Sequence, residues 1–189
     1  MTPMAEPPTH EPRPATIHAS SLVLVNTGDG KGKTTAALGT LMRGLARGWR
    51  VSIIQFMKSD KWKVGEEKVG RELGVDWWTL GDGFTWDSDN LDESEAKARA
   101  AWDAAKEKIA SGDHEMVLLD EVTYPINFGW IPVAEVVDTI SRRPTHVNVI
   151  ITGRDAPSEV IAIADTVTEM VKIRHAFDQG IAARRGIDF

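Results

Sequence analysis

The chain contains no cysteine, which excludes disulfides, thiolate nucleophiles and Cys-ligated metals. No apolar run approaches the roughly 20 residues that a membrane-spanning helix needs. The N-terminus lacks a basic-then-apolar signal pattern, so the cytoplasm is the expected compartment. There is no cationic excess: a formal net charge of −6 argues against general binding to a nucleic-acid backbone, which requires clustered Lys and Arg. No Ser-His-Asp set, histidine-rich metal cluster or evident general base is legible. His114, His146 and His175 stand isolated and read as surface or structural residues. Tyrosine is nearly absent, with one residue against seven tryptophans.

What is present suffices for one core, since 42% of the 189 residues are hydrophobic. Pro3, Pro7, Pro8, Pro12 and Pro14 fall among polar residues without periodicity, so residues 1–19 are expected to form a mobile arm and residues 20–189 one domain. Short apolar runs then alternate with helical segments. Leu22–Val25, Val51–Phe56, Val75–Leu80, Met116–Leu119, Val147–Ile151 and Val167–Ile173 are the predicted strands. Such alternation implies an α/β fold, a largely parallel sheet covered by helices on both faces. One helix is expected from Lys33 to Arg47, ending at Gly48, and another from Asp89 or Asp92 to just before Gly112. In the latter, Ala98, Trp102, Ala105 and Ile109 recur at helical spacing, which places Trp102 in the core. Pro132 and Pro157 mark two further helix starts.

The run from Leu22 to Thr35, LVLVNTGDGKGKTT, reads as a buried strand, a glycine-rich turn and the first turn of a helix. Gly28, Gly30 and Gly32 alternate with Asp29, Lys31 and Lys33, letting successive backbone N–H groups point into one concavity. The helix that follows adds the positive end of its dipole and Lys33 a full charge. A nucleoside triphosphate fits such a loop, with the Thr34 hydroxyl at the position that meets the accompanying magnesium. The match to G-x-x-x-x-G-K-[ST] is displaced, because Thr27 stands where the first glycine is expected. That displacement, with the additional Lys31, points to phosphates held in a different register or orientation from an ordinary ATPase.

A second strand ends in two carboxylates, Asp120 and Glu121, which in a parallel sheet face the same crevice as the loop. They hold magnesium, orient a nucleophile, or are a solvated strand end. Arg154, after the strand Val147–Ile151, either reaches phosphate or lies on the surface. Trp77 and Trp78 would face opposite sides of a strand, so at least one packs inside. Phe84 and Trp86 lie on a Gly- and Asp-rich loop, where large rings commonly grip a flat partner, or else they pack inside. The phosphate loop alone leaves a kinase, a hydrolase and a nucleotide-dependent switch open.

Taken together, Thr27–Ala37, Gln55-Phe56, Gly83-Phe84-Thr85-Trp86, Leu119–Tyr124, Ile151–Arg154, His175–Asp178 and the terminal Gly186-Ile187-Asp188-Phe189 resemble the P-loop-type cob(I)yrinic acid a,c-diamide/cob(I)alamin adenosyltransferases over Leu22 to Phe189. The resemblance implies a single three-layer domain of the RecA-like P-loop NTPase type. It further implies transfer of the 5′-deoxyadenosyl group of ATP to the cobalt(I) of a reduced corrinoid, with triphosphate leaving and the nucleotide bound in reversed polarity. Gly28, Asp29, Gly30, Lys31, Gly32, Lys33, Thr34 and Thr35 would bind the triphosphate, and Thr34, Glu121 and Asp120 the Mg²⁺. Phe84 and Trp86 would exclude the lower axial ligand, so that cobalt(II) is more easily reduced. Arg43 matches a family arginine near the nucleotide, or is a solvated helix residue. An electron donor for cobalt(II) and a homodimer are implied as partners. The chain departs from several members upstream of Ser20, where they carry a charged, Gln-rich helix and this sequence has its proline-rich arm.

Overall fold

The computed structural model describes residues 16–57, 65–79 and 91–188. Most of the expected arm, and the loop carrying Phe84 and Trp86, lie outside them. Among the described residues, the strands β1 (Val23–Thr27), β2 (Val51–Gln55), β3 (Asp76–Thr79), β4 (Met116–Asp120), β5 (Asn148–Thr152) and β6 (Thr166–Glu169) form one six-stranded sheet in the order β3-β2-β4-β5-β1-β6. Every pairing is parallel. Parallel neighbours need long crossovers, supplied by α1 (Lys33–Ala46), α2 (Gly65–Glu72), α3 (Leu91–Ser111), α4 (Thr123–Asn127), α5 (Val133–Ser141) and α6 (Ser158–Ala162).

Side-chain alternation divides each central strand between two cores. Met116 and Leu118 of β4, Ile53 of β2 and Ile150 of β5 pack with Ala37 and Leu41 of α1 on one face. Val117, Leu119, Ile54 and Ile151 pack on the other with Trp102 and Ile109 of α3 and Val136 and Ile140 of α5. Burial on both faces explains why β2 and β4 read as nearly continuous apolar runs. This is a three-layer α/β architecture with an all-parallel sheet, and the central strand positions agree with the sequence reading.

The expected split of the tryptophan pair holds: Trp77 is buried, whereas Trp78 is 43% exposed and donates to Asp76 at 2.9 Å. One boundary differs from expectation by more than two residues. β6 ends at Glu169 and not at Ile173. Its neighbour β1 stops at Thr27, where the chain turns into the glycine loop; after Met170 N–H donates to Thr27 O at 2.8 Å, no strand continues for it to pair with. The short helices α2 and α4 were not expected. The first has an apolar content too low for a periodic signal, and the second contains Pro125. α2 docks through Gly70, where a Cβ would come within 2.7 Å of the Trp77 ring.

α3 and α5 are joined through Glu135, which accepts from Trp102 Nε1 at 3.0 Å, Lys106 Nζ at 2.7 Å and Arg99 at 3.2 Å. The bond from Lys106 holds this carboxyl below the ordinary glutamate value, with Trp102 and Arg99 adding to it against the cost of burial. A depressed folded-state value means that the stabilisation is complete above the unfolded pKa, about 4.3, and is lost as pH falls through the lowered value. Glu135→Gln is therefore expected to lower the urea midpoint at pH 7 and to flatten its decline below about pH 4.3. An acid slope unchanged in the variant would contradict this assignment.

Candidate nucleotide and metal site

All strands point their carboxyl ends to one edge of the sheet, and there the loop between β1 and α1 meets the end of β4. Asp120 is fully buried, and its Oδ1 accepts from Thr34 Oγ1 at 2.8 Å and from Thr152 Oγ1 at 2.7 Å. Its Oδ2 accepts from Gln55 Nε2 at 3.0 Å. Gln55 in turn accepts from Trp77 Nε1 at 2.9 Å, and Thr152 accepts from the backbone N–H of Glu121 at 2.9 Å. One carboxylate thus ties the ends of β2, β4 and β5 to the first turn of α1. Satisfying a buried carboxylate in this way matters, because an unpaired one carries a large desolvation cost.

The loop is shaped by what glycine leaves vacant. At Gly28 (φ 91°) a Cβ would lie 2.6 Å from Met170 O, and at Gly30 it would lie 2.7 Å from the same atom. The backbone N–H of Gly30 donates to that oxygen at 2.6 Å. Thr27, where the usual pattern has glycine, is almost fully buried and its hydroxyl accepts from Ala156 N–H at 3.1 Å, fastening the loop to the segment after β5. Gly32 (φ 120°) precedes α1 without a side-chain cap, so the N–H groups of the helix's first turn are not spent on one. Lys33 folds over the loop and donates to Gly28 O at 2.6 Å and Gly30 O at 2.7 Å. Burial lowers its pKa and nearby Arg154 lowers it further, opposed by Asp29 and Glu121. An anion in the loop would restore the balance in favour of the charged amine.

Next to Asp120, Glu121 is held at φ 64°, in the left-handed region that non-glycine residues seldom occupy. Gly153 (φ 144°) sits where any side chain would collide with Thr123 at the start of α4. Arg154 Nε lies 3.8 Å from Asp29 Oδ1 at the rim of the loop. A pocket of about 560 Å³ opens between the loop residues Lys31–Thr35 and Glu121.

The structure therefore brings together Gly28, Asp29, Gly30, Lys31, Gly32, Lys33, Thr34, Thr35, Asp120 and Glu121. It does not bring Arg43 to them: Arg43 is exposed in the last turn of α1, ten residues and so about 15 Å along the helix from Lys33. The expectation that it approaches the nucleotide has no support within this chain. Gln55 and Thr152 stand in the sequence only as parts of motifs, and their shared partner, Asp120, is visible only in the structure. A buried polar residue ending an otherwise apolar strand was the available signal. The three isolated histidines make contacts away from the loop: His146 Nε2 lies 2.9 Å from Gly112 O, His175 Nδ1 accepts from Phe177 N–H, and His114 faces Asp76.

A strand, a glycine loop and a helix N-terminus facing a carboxylate strand end on a parallel sheet define a P-loop nucleotide-binding domain. The profile of a family described as ATP:corrinoid adenosyltransferase BtuR/CobO/CobP matches residues 19–189. The chain is 42% identical over 168 residues to the corrinoid adenosyltransferase of Escherichia coli (strain K12), covering 89% of this chain and 85% of that protein. It is 40% identical over 168 residues, with the same coverage, to the corrinoid adenosyltransferase CobA of Salmonella typhimurium (strain LT2). This chain belongs to the ATP:corrinoid adenosyltransferase family. Among solved structures, domain III of the Thermotoga maritima replication initiation protein DnaA superposes with a TM-score of 0.39 at 15% identity, over 81% of this chain and 56% of that one.

Asp120→Asn keeps the shape but replaces one acceptor atom by an amide donor facing donors. The expected cost is about 1–3 kcal/mol of folding stability, read by urea denaturation, together with weaker ATP binding. Unchanged stability and affinity would show that the three-donor arrangement around Asp120 is dispensable.

Proposed function

We propose that the protein transfers the 5′-deoxyadenosyl group of ATP to the cobalt(I) of a reduced corrinoid, cob(I)yrinic acid a,c-diamide or cob(I)alamin, in cobalamin biosynthesis or salvage. Within this family, the observation that carries the reading is the Thr34–Asp120 hydrogen bond, which sets the phosphate loop against the acidic end of β4. In the reaction, the electron pair of cobalt(I) forms a bond to C5′ while the C5′–O bond breaks and its pair leaves on triphosphate. The nucleophile belongs to the substrate, so the chemistry asks the protein for position and for neutralisation of the departing polyanion, not for a base. Lys33, Lys31 and the loop N–H groups supply that neutralisation.

The oxygen donors here suit a hard cation. The Thr34 hydroxyl and Glu121 would hold Mg²⁺, with Asp120 behind Thr34 orienting its hydroxyl. When bound, Mg²⁺ would add positive charge to the triphosphate. Among the described residues there is no cluster of three or more His, Asp or Glu that could hold a metal by itself, which agrees with an ion retained largely by phosphate and water.

Phe84 and Trp86 would cover the lower face of the corrinoid and keep cobalt(II) four-coordinate, which eases its reduction by an external electron donor. A cytoplasmic setting would supply both ATP and that donor, and no helix among the described residues is long and apolar enough to cross a membrane. A homodimer is favoured by the exposed β6 edge and by the apolar residues after it: Ile173 is 95% exposed and Phe177 79%.

Lys33→Ala is expected to lower adenosyl transfer at least about 10²-fold, the scale for one preorganised charge-stabilising donor. It is read as light-sensitive adenosylcorrinoid formed under anaerobic conditions. Near-normal turnover would remove the loop from the reaction. Trp86→Ala is expected to impair transfer when cobalt(II) must be reduced in the assay and to recover in part with chemically reduced cobalt(I). Equal loss in both assays would assign the ring to corrinoid positioning or to the fold.

A further inference from the structure

The terminal motif Gly186-Ile187-Asp188 finds a place in the structure that the reaction described above does not use. These residues line the same pocket as Lys31–Thr35. Residues 184–188 form a closed turn in which the N–H groups of Ile187 and Asp188 donate to Arg184 O at 3.1 and 2.8 Å. Gly186 has φ 79°, and Asp188 Oδ2 accepts from Arg184 N–H at 2.8 Å. The turn thus holds its own carboxylate in place, and Asp188 Oδ1 accepts from Lys31 Nζ. The two loop lysines are therefore held differently: Lys33 by backbone carbonyls of the loop, Lys31 by a carboxylate 157 residues away in the chain.

A carboxylate lining a polyanion site is a like-charge neighbour once the polyanion arrives, and it is tolerated in the empty site because it neutralises a lysine. Both members of the pair are partly exposed, at 47% and 25% of their side-chain surface, so the pair is screened by water and salt and exchanges easily. On the reading that the loop binds triphosphate, we propose that Asp188 is the exchangeable counter-ion of Lys31. It holds the lysine over the empty pocket, yields it to the polyphosphate on binding, and takes it back as inorganic triphosphate leaves. Asp188 is then a positioning residue that acts through Lys31 and favours product release. No bond is made or broken in the exchange; one ion pair replaces another.

The test is titration calorimetry of the full chain with inorganic tripolyphosphate and magnesium, without corrinoid. Asp188→Asn is expected to bind tripolyphosphate about two- to five-fold more tightly than the unaltered protein, the range of an exposed pair, and Asp188→Glu to bind it as the unaltered protein does. In a Lys31→Ala background, Asp188→Asn is expected to give a smaller gain, limited to what its own repulsion of the polyanion accounts for, a coupling that a merely structural role for the turn would not produce. Equal or weaker binding by Asp188→Asn overturns the proposal, as does a gain that persists undiminished without Lys31, which would be through-space repulsion. Failure of the unaltered protein to bind tripolyphosphate overturns the phosphate-loop reading and this proposal with it. Binding that is indifferent to Asp188 overturns the proposal alone.

Discussion

The buried carboxylate of Asp120 is the constraint on which the site depends. Thr34, Gln55 and Thr152 donate to it from α1, β2 and β5, and it sits at the end of β4. Those elements are brought together by hydrophobic packing, which is non-directional and fixes distance better than orientation. The hydrogen bonds supply the missing orientation: they set the height of α1 relative to β4 and aim the Thr34 hydroxyl. The arrangement persists because each donor is itself buried or anchored, with Gln55 held from behind by Trp77. Specificity of geometry at this point is obtained at the cost of burying a carboxylate, a cost that only full hydrogen bonding offsets.

Around that anchor the electrostatics divide into fixed and adjustable parts. The backbone at the start of α1 is fixed, and glycine is what lets the loop lie against the chain just after β6, since side chains at Gly28 and Gly30 would strike the carbonyl of Met170. The lysines are adjustable. Lys33 rests on the carbonyls of Gly28 and Gly30 and Lys31 on Asp188, so both cations are held by partners within the chain that a bound polyphosphate would have to displace.

The central sheet was legible because burial gives β1, β2, β4 and β5 short, nearly continuous apolar runs, a signal that survives without tertiary information. The glycine loop was legible for a different reason: its backbone geometry restricts which residues can occupy it. β6 was overextended because its apolar run continues past Glu169 while its partner strand does not, and pairing is a property of two segments, not one. Gln55, Thr152 and Asp188 escaped assignment for the same reason. Each acts through a residue distant in the chain, and no local pattern records which donor meets which acceptor. Arg43 shows the converse: its motif position suggests the nucleotide, while helix rise sets it about 15 Å along α1 from Lys33.

Anaerobic incubation of the protein with magnesium, ATP and chemically reduced cob(I)alamin, with simultaneous assay of corrinoid and phosphate products, tests the central claim most directly. The expected result is light-sensitive adenosylcorrinoid and inorganic triphosphate in equal amounts, both dependent on the corrinoid. Release of orthophosphate independent of corrinoid, with no adenosylated product from cob(I)alamin or from cob(I)yrinic acid a,c-diamide, would contradict it and make the loop that of a phosphohydrolase.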